Sequence, residues 1–289
     1  MSACNMCPRR CGAERSARVG VCGAPETFLV ARVALHPFEE PCLSGKNGSG
    51  TVFFGGCNLH CVFCQNRAIS GGDAGETVDE STLEKHIFSL VEQGAHNINL
   101  VTPTHYTLSL VRLLEGIKPR LPVPVVWNSG GYESAEALRA LDGLVDVYLP
   151  DFKYASRELA ARYSHAPDYP EVALAAILEM HRQRGAARFD GEGMMQSGLM
   201  VRHLVLPTGR KDSMAALTLL AEHLPVAEVR LSLMSQFTPD FVDAASYPEL
   251  ARRVTSFEYE SVVRHAVSLG FEGYLQDRSS ATRAYTPDF

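Results

Sequence analysis

Short apolar runs alternate with amphipathic stretches along most of this chain. Thr51 to Phe54, Asn97 to Val101, Val123 to Trp127, Val145 to Leu149, Leu199 to Leu206 and Glu228 to Leu233 have the length and composition of buried strands. Between them the apolar period lengthens. Leu83, Ile87, Leu90 and Val91 form one helical face, which Thr77 and Glu80 would open as a capping box and Gly94 would close. Thr255 with Glu258 opens a last helix that ends at Gly270, and Leu108 to Ile117 and Asp212 to Leu224 are helical between successive strands. Repeated strand–helix alternation predicts an α/β fold with a parallel sheet and right-handed crossovers. Periodicity alone does not choose between an open sheet and a barrel.

Composition narrows the class. The 289 residues are 46% hydrophobic and 21% charged, enough for one large domain with a small module. A formal charge of -6 gives no footprint for nucleic acid, and no basic run suggests a membrane surface. There is no run of 18 apolar residues, and Met1 to Arg10 carries cysteines and arginines where a signal peptide is apolar. A cytoplasmic protein is therefore expected. All eight cysteines lie within the first 64 residues, which points to metal or cluster chemistry rather than a disulfide framework. The glycine-rich SGKNGSG, Ser44 to Gly50, is the natural linker. It divides a cysteine-rich module and linker, residues 1–50, from a core of residues 51–289.

The densest chemistry is FFGGCNLHCVFCQNR, where Cys57, Cys61 and Cys64 stand in a C-x3-C-x2-C spacing directly after a predicted strand. Three thiolates on one loop can hold a cubane [4Fe–4S] cluster and leave one iron open to a substrate or cofactor. A zinc site completed by His60 or a remote ligand, or a set of buried thiols, is the plainer alternative.

The run CNLHCVFCQN resembles the cluster loop of the radical SAM superfamily. The longer stretch from Glu39 to Ser70 is similar to pyruvate formate-lyase activating enzyme homologues. The resemblance implies a partial (β/α)6 TIM-like barrel with the cluster at the C-terminal end of the first strand. It implies S-adenosylmethionine (SAM) chelated to the open iron and reductively cleaved to a 5′-deoxyadenosyl radical that abstracts hydrogen from a substrate. It further implies an electron donor such as flavodoxin or ferredoxin and, as one kind of substrate, a glycyl radical protein. A radical SAM enzyme acting on a small molecule is one alternative, and a non-catalytic iron–sulfur carrier or sensor is another.

Under that resemblance, residues at strand C-termini face the cofactor. Phe63 lies within the cluster loop. Thr102 and Thr104 in NLVTPTHYT stand where the superfamily often has a Gly-Gly-Glu turn, with a plain Thr-Pro turn as the alternative. Asn128 and Ser129 end the third strand, where they meet the cofactor or simply form a turn. Asp151 and Lys153 match an Asp-x-Lys of glycyl-radical activating enzymes, with a surface ion pair as the alternative. Arg202 and His203 must point to opposite faces of the fifth strand, and the resemblance favours Arg202 as the inward one. Gln236 is a weaker candidate of the same type, and Phe189 to Gly198 is a candidate entrance loop.

The front, CNMCPRRCGAERSARVGVCG, offers Cys4, Cys7, Cys11 and Cys22 as four further ligands. They fit either a structural zinc or a second, closed [4Fe–4S] cluster, or they bind nothing. Cys42 reads as an ordinary buried thiol.

Overall fold

The computed structural model describes residues 4–282. Its strands are β1 Phe28–His36, β2 Ser49–Phe54, β3 Glu76–Val78, β4 Ile98–Val101, β5 Val125–Ser129, β6 Val147–Pro150, β7 Arg188–Phe189, β8 Met195–Leu204, β9 Arg230–Met234 and β10 Glu272–Leu275. Its helices are α1 Pro41–Ser44, α2 Arg67–Ser70, α3 Glu80–Glu92, α4 Thr107–Ile117, α5 Ala135–Arg139, α6 Arg157–Ser164, α7 Tyr169–Arg184, α8 Arg210–His223 and α9 Ser256–Ser268.

Strands β2, β4, β5, β6, β8, β9 and β10 pair in that order, all parallel. Each predicted strand falls on one of the first six. The parallel expectation fails at one edge, where β1 runs antiparallel to β2 and β3 antiparallel to β1. The pairing of β1 with β2 therefore crosses residue 50, so Phe28 to His36 lies in the main sheet.

Period-2 alternation divides the strands into two faces. Trp127 and Tyr148 join the large core under the helices, whereas Val126, Val147, Leu149 and Met200 turn inward around Cys42 and Leu43. Helix α1 thus fills the N-terminal end of the strand array, and Asn97 anchors it by donating through Nδ2 to Leu43 O at 2.8 Å. The segment carrying α1 spans the gap between the unpaired sheet edges: Glu40 meets Ser232 on β9, and Cys42 meets Tyr274 on β10. The result is a partial barrel with a plugged floor.

Two helix starts differ in an instructive way. Thr255 and Glu258 form the expected capping box on α9. Helix α3 is instead capped by Asp79, whose carboxylate accepts from Thr82 N–H, because Thr77 is already committed to β3. Phe189 to Gly198, expected near the entrance, forms a hairpin of β7 with β8 at the floor end, with Met195 in the plug core.

Candidate active site

A cavity of about 480 Å³ opens at the C-terminal ends of the parallel strands. The strand faces that turn inward below it line it above, with Phe53, Val101, Asn128, Asp151, Arg202 and Ser232 each contributed by a different strand or strand end. Cys61, Phe63 and Cys64 reach it from the loop after β2.

The polar wall is one connected row. Arg202 donates from Nη2 to Asn128 Oδ1 at 2.6 Å and from Nε to Asp151 Oδ1 at 2.9 Å, and Lys153 Nζ donates to Asp151 Oδ2. Asn128 Nδ2 donates to Glu39 Oε1 at 3.2 Å, and Glu39 Oε2 lies 3.5 Å from Arg202 Nη1. These groups are 9–16% exposed where they form ion pairs, so burial weighs on each charge. Burial would raise the Asp151 carboxyl, but Arg202 and Lys153 outweigh it and hold it below its ordinary value. Burial lowers the Lys153 ammonium, but Asp151 and Cys61 together outweigh it and hold it above its ordinary value, so it stays charged. Glu39 and Glu40 go the other way, their carboxyls pushed up by burial despite Arg202. Among the described residues Glu40 Oε2 is buried without a hydrogen-bond partner, an unsatisfied polar atom at the floor of the cavity.

The structure brings Phe63, Asn128, Asp151, Lys153, Arg202 and Gln236 onto this cavity with Cys61 and Cys64. It does not bring Thr102, Thr104 or Ser129 there. Alternation is the reason: with Val101 and Asn128 inward, Thr102 and Ser129 follow on the opposite side. Thr104 instead donates to Glu133 Oε1 at 3.0 Å, in a buried network with Trp127 Nε1 at 2.9 Å. His203, opposite Arg202, is buried with Nδ1 2.6 Å from Phe152 O. Glu39, Glu40, Gln65 and Gln276 line the cavity unforeseen. Glu39 and Glu40 precede a four-residue helix with no readable period, and Gln276 follows the unpredicted β10.

Cys57, Cys61 and Cys64 are half-buried and unbridged. Each sulfur has a donor: Leu59 N–H at 3.4 Å for Cys57, Ser164 Oγ at 3.0 Å for Cys61, and the Asn66 N–H for Cys64. As plain thiols Cys61 and Cys64 are costly to ionise, Cys64 being pushed up by burial to about 12. Donors aimed at all three sulfurs suit thiolates, which a metal stabilises. Among the described residues, no three Cys, His, Asp or Glu converge as ligands of a single ion. A cubane binds each thiolate on a different iron, and the donor set fits one.

Strand order and loop position define a partial-barrel α/β protein with a C-x3-C-x2-C loop at the C-terminal ends of its parallel strands. The chain belongs to the radical SAM superfamily, whose family model matches residues 51–186. It is 30% identical over 272 residues to an uncharacterized protein of Methanocaldococcus jannaschii, a match covering 91% of this chain and 74% of that one. Among solved structures it resembles SuiB of Streptococcus suis bound to precursor peptide SuiA, with TM-score 0.54 and 9% identity over 76% of this chain. It spans only 46% of that SuiB chain. It also resembles a radical SAM methyltransferase from Sphaerobacter thermophilus, with TM-score 0.50 and 11% identity over 93% of this chain and 81% of that one. At such identities these likenesses establish the fold. The superfamily implies a [4Fe–4S] cluster and SAM. No helix among the described residues is long and apolar enough to cross a membrane.

Proposed function

We propose that Cys57, Cys61 and Cys64 ligate the [4Fe–4S] cluster and that SAM occupies the cavity beside it, where a substrate hydrogen is abstracted. The observation that carries this is the meeting of Cys61 and Cys64 with Asn128, Asp151, Lys153 and Arg202 on one cavity. When bound, the cluster supplies the electron that cleaves SAM into methionine and a 5′-deoxyadenosyl radical. The chain's own part is binding, orientation and exclusion of water. Lys153, charged and held by Asp151, offers a carboxylate partner close to Cys61. Asn128 and Arg202 form the wall beside it, fixed by each other and by Glu39. Glu39 and Glu40 supply acceptors for an ammonium group, the role that the missing Gly-Gly-Glu turn leaves open. Phe53, Phe63, Val101 and Met234 give the apolar lining that keeps water from the reacting carbon.

A flavodoxin- or ferredoxin-type protein is the expected reductant. The hydrogen donor is a small molecule or one exposed backbone segment, and a glycyl radical protein is the macromolecular case. The test is anaerobic: reconstitute with iron and sulfide, add SAM and dithionite, and quantify 5′-deoxyadenosine. Wild type forms it, and Cys61→Ala with correct folding forms none. A loaded cluster that yields no 5′-deoxyadenosine with dithionite or a flavodoxin-type reductant would move the protein to the non-catalytic carriers. With product formed, a glycyl radical signal by EPR on an added partner protein separates the two donor classes.

A further inference from the structure

Cys4, Cys7, Cys11 and Cys22 are not used by this reading, yet the front segment is folded around them. Cys4 N–H donates to Ala13 O at 3.0 Å, Gly12 N–H to Cys4 O at 3.1 Å and Arg10 N–H to Cys7 O at 3.0 Å. Cys11 Sγ packs on the Gly20 backbone, so closely that a Cβ there would stand 2.7 Å from the sulfur. The four are near neighbours electrostatically: Cys7 is influenced by Cys22 and Cys4, and Cys22 by Cys4 and Cys11. None is in a disulfide.

A backbone pattern links them to the cluster loop. The sulfur of Cys7 is met by Arg9 N–H, that of Cys11 by Ala13 N–H and that of Cys22 by Ala24 N–H, each two residues further on. Cys57 with Leu59 and Cys64 with Asn66 repeat this arrangement in the radical SAM loop. Cys42, packed in the floor plug, lacks it; its sulfur meets Tyr274 and its own backbone. A neutral thiol is a weak acceptor, whereas an amide aimed at sulfur favours the thiolate. At Cys7 and Cys22 burial outweighs these amides and pushes the thiols up, Cys7 to about 11, so that amides placed for thiolates there come into use only when a metal centre is bound.

We propose that Cys4, Cys7, Cys11 and Cys22 ligate a second [4Fe–4S] cluster, closed by four protein thiolates. A single zinc ion needs ligands converging on one point, and among the described residues these four do not converge so. The loop cysteines are alike in this among the described residues, and a cubane takes each thiolate on a separate iron. The site adjoins the first: Cys57 N–H donates to Cys22 O at 2.9 Å, and His60 Nε2 lies 2.7 Å from Val21 O. Cys11 is exposed, so one edge of the centre faces solvent.

The experiment counts iron, acid-labile sulfide and zinc in anaerobically reconstituted full-length protein. Wild type is expected to hold about eight irons, and Cys57→Ala/Cys61→Ala/Cys64→Ala about four, with a reduced-state EPR signal that SAM does not alter. Cys7→Ala/Cys22→Ala removes the other half and leaves the SAM-sensitive signal. A folded triple variant with no iron and sulfide, or with one zinc ion instead, overturns the proposal. Should the triple variant not fold, wild type with only about four irons overturns it as well. Failure of the radical SAM reading would show separately, as a wild-type cluster signal indifferent to SAM.

Discussion

Tyr154, Ser164 and Cys61 form a hydrogen-bonded row whose direction follows from counting hydrogens. The Tyr154 hydroxyl is 2.8 Å from Ser164 Oγ, which is 3.0 Å from Cys61 Sγ. A serine hydroxyl has one hydrogen and Cys61, as the cluster ligand proposed above, would have none, so Tyr154 donates to Ser164 and Ser164 to Cys61. Donors to cluster sulfurs stabilise the more negative, reduced state. Ser164→Ala should therefore lower the midpoint potential of the loop cluster in an EPR-monitored titration, while Ser164→Thr, which keeps the hydroxyl, stays near wild type. An unchanged midpoint in Ser164→Ala would show that the hydroxyl does not act on the cluster. Ser164 was illegible in the sequence because it lies more than 100 residues from Cys61, at the end of α6. The cysteine triplet was plain because local spacing alone defines it. Asn128 and Ser129 show the intermediate case: the strand end was visible, but which neighbour faced inward depended on alternation.

At the scale of elements, α1 is the part least expected from the pattern and most consequential for the cavity. Leu43 is fully buried among Val126, Val147 and Met200. Leu43→Ala should cost about 2–5 kcal/mol of stability, measured by urea unfolding. A smaller loss would mean that the floor collapses around the gap. The turn after β5 is equally exacting. Gly131 has φ +79°, and a Cβ there would lie 2.1 Å from Asp151 O. Gly131→Ala should destabilise by more than the 1–2 kcal/mol of left-handed strain alone, because the Asp151 backbone must also move. Strand β1 is as apolar as the strands that were predicted, but the cysteines around it drew residues 1–50 into one module. Only pairing, which is not local, assigns FLVARVALH to the sheet.

For the molecule as a whole, two buried histidines set an acid limit. Burial holds His105 down to about 3 and His203 down to about 4, so both are neutral in the folded state. Unfolded, they titrate near 6.5, so the unfolded chain binds more protons below that pH. Their contribution to stability is full above about pH 6.5 and lost progressively as pH falls towards 3. Glu39 and Glu40, raised by burial, act in the opposite sense as pH rises through their own values. A mutant comparison isolates the histidine: His105→Gln, which replaces the ring nitrogen 2.9 Å from Gly55 O with an amide donor that does not titrate, should flatten the fall in urea midpoint between pH 6.5 and 4. Equal slopes in both proteins would assign that limb elsewhere. The α/β class and the radical SAM kinship were legible because repeated β-α units and one loop encode them. The plug, the antiparallel edge and the carboxylates on the floor depend on contacts between distant segments.

The plug also governs traffic. With α1 sealing the lower end, whatever enters the barrel must leave by the same door. Under the proposed function, two partners stacked in it would have to enter in order, the deeper one first, and leave in reverse. Turnover should accordingly be compulsory in order, and a spent fragment lodged at the bottom should inhibit competitively against SAM and remain trapped while substrate covers it.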